Sequence, residues 1–328
     1  MESKLDILIP ENITGKALDD LINKYKIDKQ NDLWKDPAKL AEASKDAKAI
    51  LVRNQTKIDK KVIDSAASLQ IIGRAGVGYD NIDVDYASKK GIVVCYTPDG
   101  NTIATAELAI GLMLALARKI TSGDKSTKAG NWDRQEHFGI EVYGKTLGIV
   151  GFGKIGKTVA VRAYSFGIKV IAYDKYYNGA ELEGIVTQAK TLDELLEQSD
   201  VISVHLPSTK DTIGLFNKET YDKIKLGAYL INTSRGNVIV EEDLIRALES
   251  GRLKGAALDV RLKEPPDKSK LNEMNNVILT PHIGGFTRES QDKVIDSIAH
   301  DIDLVLSGQH AINFVNFSQP CVGIHSII

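Results

Sequence analysis

At 328 residues the chain is long enough for two domains with full cores, and 43% hydrophobic against 26% charged residues is the balance of a folded protein rather than a disordered one. Its 42 basic and 44 acidic residues leave a formal charge of −2, which gives no long-range field for nucleic acid or an anionic membrane, so a small-molecule substrate is expected. The two cysteines, Cys95 and Cys321, have no metal or redox spacing, and the opening Met1-Glu2-Ser3-Lys4-Leu5-Asp6 lacks the order of a signal peptide, so a reducing, cytoplasmic setting with no metal is expected.

Ahead of residue 100, β-rich runs at 6–9, 49–52, 70–73 and 92–95 alternate with helical patterns at 15–24, 59–66 and 83–90. Such alternation predicts a parallel sheet with helices on both faces. The turn Thr97-Pro98-Asp99-Gly100-Asn101 follows, and Asn101 or Thr102 can cap an apolar helix running to about residue 119. Its core, 108–117, is bounded by Glu107 and Arg118 and is too short to span a bilayer, so it is read as a buried crossover helix. The polar stretch 121–143 embeds Trp132 and Phe138, is long for a connection, and is read as an arm toward another subunit. The βα rhythm resumes after Gly144 with strands at 146–150, 170–173, 201–205, 228–232, 255–258 and 277–280. A final helix at 287–307 would return the chain to the first domain, and the tail after Asn316 shows no period.

The turn Gly151-Phe152-Gly153-Lys154-Ile155-Gly156 lies between an apolar run and a helix read at 157–166, with Val159, Ala160 and Ala163 inward and Gly167 as its stop. The first glycine allows a tight bend, the second lets backbone N–H groups approach a pyrophosphate, and the third permits close helix packing. The next run ends at Asp174, placed to bond the adenosine ribose hydroxyls and to repel the extra phosphate of NADP, so NAD is the expected cofactor. Methyltransferases share this layout, so it does not by itself name a reaction.

Three polar residues follow strands of the second half: Arg235 after 229–234, Glu264 after 257–263, and His282 after 277–281. Taken singly, they read as a surface ion pair, a loop carboxylate and a turn cap. Together they are what hydride exchange with a 2-oxo acid requires. An imidazole transfers the proton, a carboxylate fixes its tautomer, and a guanidinium grips the substrate carboxylate through two parallel hydrogen bonds. His205, in His205-Leu206-Pro207, ends a strand and is expected to line the nicotinamide pocket.

With those residues in view, the chain resembles the D-isomer-specific 2-hydroxyacid dehydrogenases over nearly its whole length. The motifs are 73–83 (Gly-Arg-Ala-Gly-Val-Gly-Tyr-Asp-Asn-Ile-Asp), 101–107, the glycine turn with Asp174, 232–236 (Asn-Thr-Ser-Arg-Gly), 257–260 with Glu264-Pro265, and 281–284 (Pro-His-Ile-Gly). The resemblance implies an α/β fold of two doubly wound parallel-sheet domains. A Rossmann NAD-binding domain (99–287, with a dimerisation arm at about 120–143) would be inserted in a discontinuous, flavodoxin-like substrate domain (1–98 plus 288–328). It further implies Arg235, Glu264 and His282 as the catalytic set. The cofactor would contact Thr105, Gly151, Gly153, Lys154, Ile155, Gly156, Asp174, His205, Pro207, Thr233, Asp259 and Gly284, with Asp259 and the backbone around Thr233 holding the nicotinamide end.

Within the family the resemblance is to members that oxidise 3-phospho-D-glycerate with NAD at the start of serine synthesis. It places Arg53 and Arg74 beside the substrate phosphate, with Val77, Gly78 and Asn101 around the substrate. Arg134, in Trp132-Asp133-Arg134, would reach a neighbouring subunit of a homodimer or homotetramer. Asn54 and Gln55, Arg261 where an aromatic is common, and Gly285-Phe286 after the histidine depart from the family pattern. The regulatory domain of longer members is expected to be missing. Two other activities stay open: reduction of glyoxylate or hydroxypyruvate by the same catalytic set, and an NAD(H)-sensing, corepressor-like binding role.

Overall fold

The computed structural model describes residues 5–176 and 182–317; Cys321, the first residues of the chain and the tail beyond residue 317 lie outside it. The chain forms two compact units, one from Met1–Asn101 with Thr287–Ile328 and one from Thr102–Phe286.

The first unit runs β1 (Ile7–Ile9), α1 (Lys16–Lys24), β2 (Ile27–Lys29), α2 (Pro37–Ala43), β3 (Ala49–Val52), α3 (Lys60–Ser65), β4 (Ile71–Arg74), α4 (Val84–Lys89) and β5 (Val93–Cys95). Its all-parallel sheet has the order β2-β1-β3-β4-β5, the flavodoxin-like order. Every residue of β1, β3 and β5 is buried, as parallel strands covered on both faces require. Aspartates start α2, α3 and α4: Asp36 accepts from the N–H groups of Ala38 and Lys39, Asp59 from Lys61 and Val62, and Asp83 from Tyr86. Cys95 is a buried free thiol, and burial pushes its pKa up.

The second unit runs α5 (Thr102–Ala117), α6 (Ile120–Lys128), β6 (Thr146–Val150), α7 (Lys154–Tyr164), β7 (Lys169–Tyr173), β8 (Val186–Gln188), α8 (Leu192–Gln198), β9 (Val201–Val204), α9 (Lys218–Lys223), β10 (Ala228–Asn232), α10 (Glu241–Glu249), β11 (Leu253–Leu258) and β12 (Val277–Leu279). Its parallel sheet is ordered β12-β11-β10-β9-β6-β7-β8. Counted from β6, this is the dinucleotide-binding order 3-2-1-4-5-6 with one strand added. The order reverses between β6 and β9, so the glycine turn after β6 and His205 after β9 lie at the switch point where such sheets bind ligands. α5 is buried along most of its length and packs on α7, β10 and β11.

The chain then returns to the first unit as α11 (Arg288–Leu306). α11 crosses β4 so closely that a Cβ at Gly73 would lie 2.9 Å from Ile302 Cδ1. Asn316 ties the following segment to β5, accepting from the Val94 N–H (2.8 Å) and donating to the Ile92 carbonyl (2.7 Å).

Two expected elements differ. The polar stretch after residue 120 starts as a helix, α6, separated from α5 by Lys119 in the left-handed region (φ 52°). α7 begins at Lys154 rather than 157, directly from the second glycine of the turn. Among the described residues, no helix is long and apolar enough to cross a membrane.

Candidate active site

The three turn glycines each have a distinct physical reason. Gly151 has φ 93°, and a Cβ there would sit 2.6 Å from the His205 carbonyl oxygen. A Cβ on Gly156 would overlap the Gly151 carbonyl, so α7 can approach β6 only without a side chain. A Cβ on Gly153 would meet nothing within 4 Å. Open space at this glycine, at the N-terminus of an 11-residue helix, leaves a cradle that a diphosphate fits and an added side chain would fill. Lys154 and Ile155 form the first turn of α7.

Asp174, after β7, is bonded to this turn: its carboxylate accepts from the Phe152 N–H (2.7 Å) and the Tyr176 N–H (2.8 Å). A carboxylate has about four lone-pair sites, so two are left for ribose hydroxyls. Two further hydroxyls, Thr105 Oγ1 and Thr233 Oγ1, are buried without a hydrogen-bond partner among the described residues. Thr105 lies under Gly284, whose Cβ would be 3.4 Å from Thr105 Cγ2. Open space at Gly153, spare acceptor capacity on Asp174 and orphaned hydroxyls are features that a bound dinucleotide would satisfy.

His205 follows β9 with its Nε2 2.8 Å from Ser203 Oγ, and Nδ1 is buried without a partner among the described residues. Burial pushes this imidazole down to about 4, so the ring is neutral near pH 7. Pro207, two residues on, is exposed and its carbonyl accepts from Thr212 Oγ1 (2.6 Å).

Arg235, Glu264 and His282 converge. His282 Nδ1 lies 2.6 Å from Glu264 Oε2, each side chain about one-third exposed. The carboxylate can only accept, so Nδ1 carries the hydrogen and Nε2 of the neutral ring keeps its lone pair. Burial acts to raise the Glu264 carboxyl, but its bond to and charge attraction from His282, the Arg261 N–H (3.1 Å from Oε1) and the positive charge of Arg235 hold it below the usual carboxylate value. Arg235 itself stands at the end of a knot in which Asn232 Oδ1 accepts from Ser234 N and Oγ, Asn232 Nδ2 donates to the Arg235 carbonyl, and Arg235 Nη1 donates to the Ser234 carbonyl. A Cβ on Gly236 would overlap the Arg261 backbone, so glycine brings the loop after β10 against the loop after β11.

Asp259 is 1% exposed and its carboxylate is occupied from within the chain. Oδ1 accepts from Thr280 Oγ1 (2.6 Å) and the Ile283 N–H (2.8 Å), and Oδ2 accepts from the Gly284 N–H (2.8 Å). These bonds shape the segment carrying His282.

In the first unit, Arg53 follows β3 in a loop organised around Glu11, which sequence reasoning missed. Glu11 is 2% exposed and accepts from the N–H groups of Arg53 (3.0 Å), Gln55 (3.3 Å) and Thr56 (2.8 Å). Asn81 Nδ2 closes the same loop by donating to the carbonyls of Arg53 and Thr56. Burial lowers the Arg53 guanidinium pKa while the Glu11 charge opposes that effect. Arg74, ending β4, donates from Nη1 to the Ala75 carbonyl (3.1 Å), and a Cβ on Gly76 (φ 143°) would overlap its guanidinium. Val77 and Gly78 follow, half-buried, and Asn101 Oδ1 is buried without a partner among the described residues. Arg134 is exposed in the segment after α6, where Trp132, Phe138 and Tyr143 are also exposed. The sequence signal for Glu11 is only a carboxylate after a strand; its three N–H partners are some 40 residues away, beyond the reach of local patterning.

Comparison with known proteins gives the family. The family described as D-isomer specific 2-hydroxyacid dehydrogenase, NAD binding domain, matches residues 110–284. A D-3-phosphoglycerate dehydrogenase of Archaeoglobus fulgidus is 43% identical over 313 residues, covering 95% of this chain and 59% of that protein. The chain thus spans little more than half the length of that curated relative. Among solved structures, a glyoxylate reductase from Paecilomyes thermophila is 31% identical with a TM-score of 0.85, covering 96% of this chain and 99% of its own. A D-lactate dehydrogenase from Aquifex aeolicus, complexed with NAD and lactic acid, is 29% identical with a TM-score of 0.85, covering 96% and 100%.

Proposed function

The chain belongs to the D-isomer-specific 2-hydroxyacid dehydrogenases, and from that premise we propose that it oxidises 3-phospho-D-glycerate to 3-phosphohydroxypyruvate with NAD, the step that leads toward serine. The observation that carries the chemistry is the 2.6 Å contact between His282 Nδ1 and Glu264 Oε2, with the charge of Arg235 close enough to act on the same carboxylate. Likeness to D-3-phosphoglycerate dehydrogenases supports the choice of substrate.

In this reaction neutral His282 accepts the substrate hydroxyl proton at Nε2, while Glu264 keeps the opposite nitrogen protonated and stabilises the imidazolium that forms. Arg235 holds the substrate carboxylate by paired N–H bonds, fixing C2 relative to the imidazole. NAD, when bound, supplies the acceptor for the C2 hydride. It would be held by Gly151, Gly153, Lys154, Ile155 and Gly156 at the diphosphate, by Asp174 at the ribose, and by Thr105, His205, Pro207, Thr233 and Gly284 toward the nicotinamide. Asp259 serves that end indirectly, since its carboxylate is engaged by Thr280 and the Ile283 and Gly284 N–H groups. Arg53 and Arg74 take the phosphate, with Val77, Gly78 and Asn101 completing the substrate contacts.

The protein works in the cytoplasm as a homodimer, or a homotetramer of paired dimers. Exposed Trp132, Phe138 and Tyr143, at 79%, 78% and 75%, supply apolar surface in the arm that would also present Arg134 to a neighbour. Sedimentation should then give at least twice the monomer mass.

A panel of substrates with NAD and NADP, followed at the nicotinamide absorbance band, tests the activity. Turnover with NAD and 3-phosphoglycerate is the expected result. Likeness to a glyoxylate reductase favours a second reading, reduction of glyoxylate or hydroxypyruvate. Replacing Arg53 and Arg74 separates the two: a KM raised for 3-phosphoglycerate but not for hydroxypyruvate supports the phosphate clamp, and equal effects favour the second reading.

A further inference from the structure

Glu264 sits in a segment with little else to hold it: residues 262–268 are all exposed, and Leu262 is 73% exposed. A side chain in such a loop samples several rotamers unless the loop ends are fixed. Both ends are fixed here, by one residue. The Arg261 guanidinium forks onto Glu241 at the start of α10, with Nε 3.1 Å from Oε2 and Nη2 2.8 Å from each oxygen, and Nη2 also donates to Ser269 Oγ (3.1 Å). Arg261 thus bolts the first residue of the loop to a helix and to the last residue of the loop. Its side chain is 9% exposed and Glu241 28%, unlike the surface pairs elsewhere on the chain, so the planar fork works in a partly desolvated setting where bidentate geometry is most constraining.

The same residue touches the catalytic carboxylate directly. The Arg261 N–H donates to Glu264 Oε1 (3.1 Å) while Oε2 takes His282 Nδ1 (2.6 Å). A continuous path therefore runs from Glu241 through the Arg261 guanidinium and backbone to Glu264 and on to the imidazole. We propose that the Arg261–Glu241 pair is the positioning device for Glu264. The inference rests on Glu264 and His282 being the proton-transfer pair. Arg261 and Glu241 are positioning residues: they act on the reaction only through where Glu264 stands.

The test is a double-mutant cycle. Arg261→Met keeps the aliphatic length and removes the fork; Glu241→Gln keeps the shape of the acceptor and removes its charge, and guards against a poorly folding Arg261→Met. Each is made in the wild-type chain and in a Glu264→Gln background, and kcat, the KM for NAD and thermal unfolding are measured. In the wild-type background kcat should fall by roughly 10- to 100-fold, up to the scale on which a catalytic group misplaced by about 1 Å costs rate, with the KM for NAD unchanged. In the Glu264→Gln background the same substitutions should leave kcat where that variant already stands. An equal fold loss in both backgrounds, or unchanged kcat in the wild-type background, overturns the proposal. Full turnover of Glu264→Gln alone would instead remove the proton-transfer pair, and the positioning role with it.

Discussion

His205 makes folding stability depend on pH in a direction and amount that can be worked out. Its Nδ1 is buried with no partner among the described residues, so a second ring proton would enter a place with no acceptor. Burial accordingly moves the imidazole from 6.5 to about 4. In the unfolded chain the ring protonates below 6.5, while in the folded chain it stays neutral until about 4. Between those values the unfolded state binds more protons, so stability falls as pH is lowered. The contribution is about 1.4 kcal/mol lost by pH 5.5, approaching about 3 kcal/mol near the folded value. The assay is urea unfolding of the wild type and His205→Gln without cofactor at several pH values from 7.5 to 4.5. The difference between the two proteins isolates the ring. A difference that stays flat across that range would refute a buried, neutral His205.

The turn glycines should separate folding from binding. Gly151→Ala forces a side chain into φ 93° against a carbonyl and should lower stability by about 1–3 kcal/mol in denaturant unfolding. Gly153→Ala, whose Cβ meets open space and whose φ is −77°, should unfold like the wild type yet weaken NAD at least several-fold in titration calorimetry. His282→Ala should lower kcat by about 100-fold or more, the usual weight of a general base, and near wild-type turnover would remove it from the mechanism. Asp174→Ala should erode the preference for NAD over NADP in kcat/KM; a wild type that already prefers NADP would overturn the role given to this carboxylate.

Much of the architecture was legible because its strands are buried on both faces. β3 and β10 are continuous apolar or near-apolar runs with every residue buried, and such runs stand out in one sequence. The edge strands β2 and β8 did not. Ile27-Asp28-Lys29 and Val186-Thr187-Gln188 are three residues each, mostly polar and incompletely buried, and their strand character comes from pairing with β1 and β7 rather than from their own composition. α6 was illegible for a related reason: none of its residues is buried, so it carries no apolar stripe to read. α7 was placed late because Gly156 looked like part of the turn, whereas it is inside the helix, where close approach to Gly151 requires it. At the site, Arg235, Glu264 and His282 were recognisable as a chemical set, but the anchors that place them, such as Glu241 on Arg261, are joined only by the fold.

Asp259 shows why a strand-end carboxylate is ambiguous from sequence. The family resemblance gives Asp259 to the cofactor, and in the structure its oxygens take Thr280 Oγ1 and the N–H groups of Ile283 and Gly284, while its own carbonyl accepts from the His282 N–H (2.9 Å). The residue bracketed by these bonds, His282, has φ 55°, a left-handed conformation that costs a non-glycine residue of order 1–2 kcal/mol. Three hydrogen bonds to the Asp259 carboxylate, from Thr280, Ile283 and Gly284, hold the segment on both sides of His282 in that conformation. The Glu264 side of the contact is held through Arg261. The proton transfer proposed for His282 therefore depends on one short segment after β11, in which Asp259 holds the loop of His282 and Arg261 holds Glu264, so that the two meet at a 2.6 Å contact.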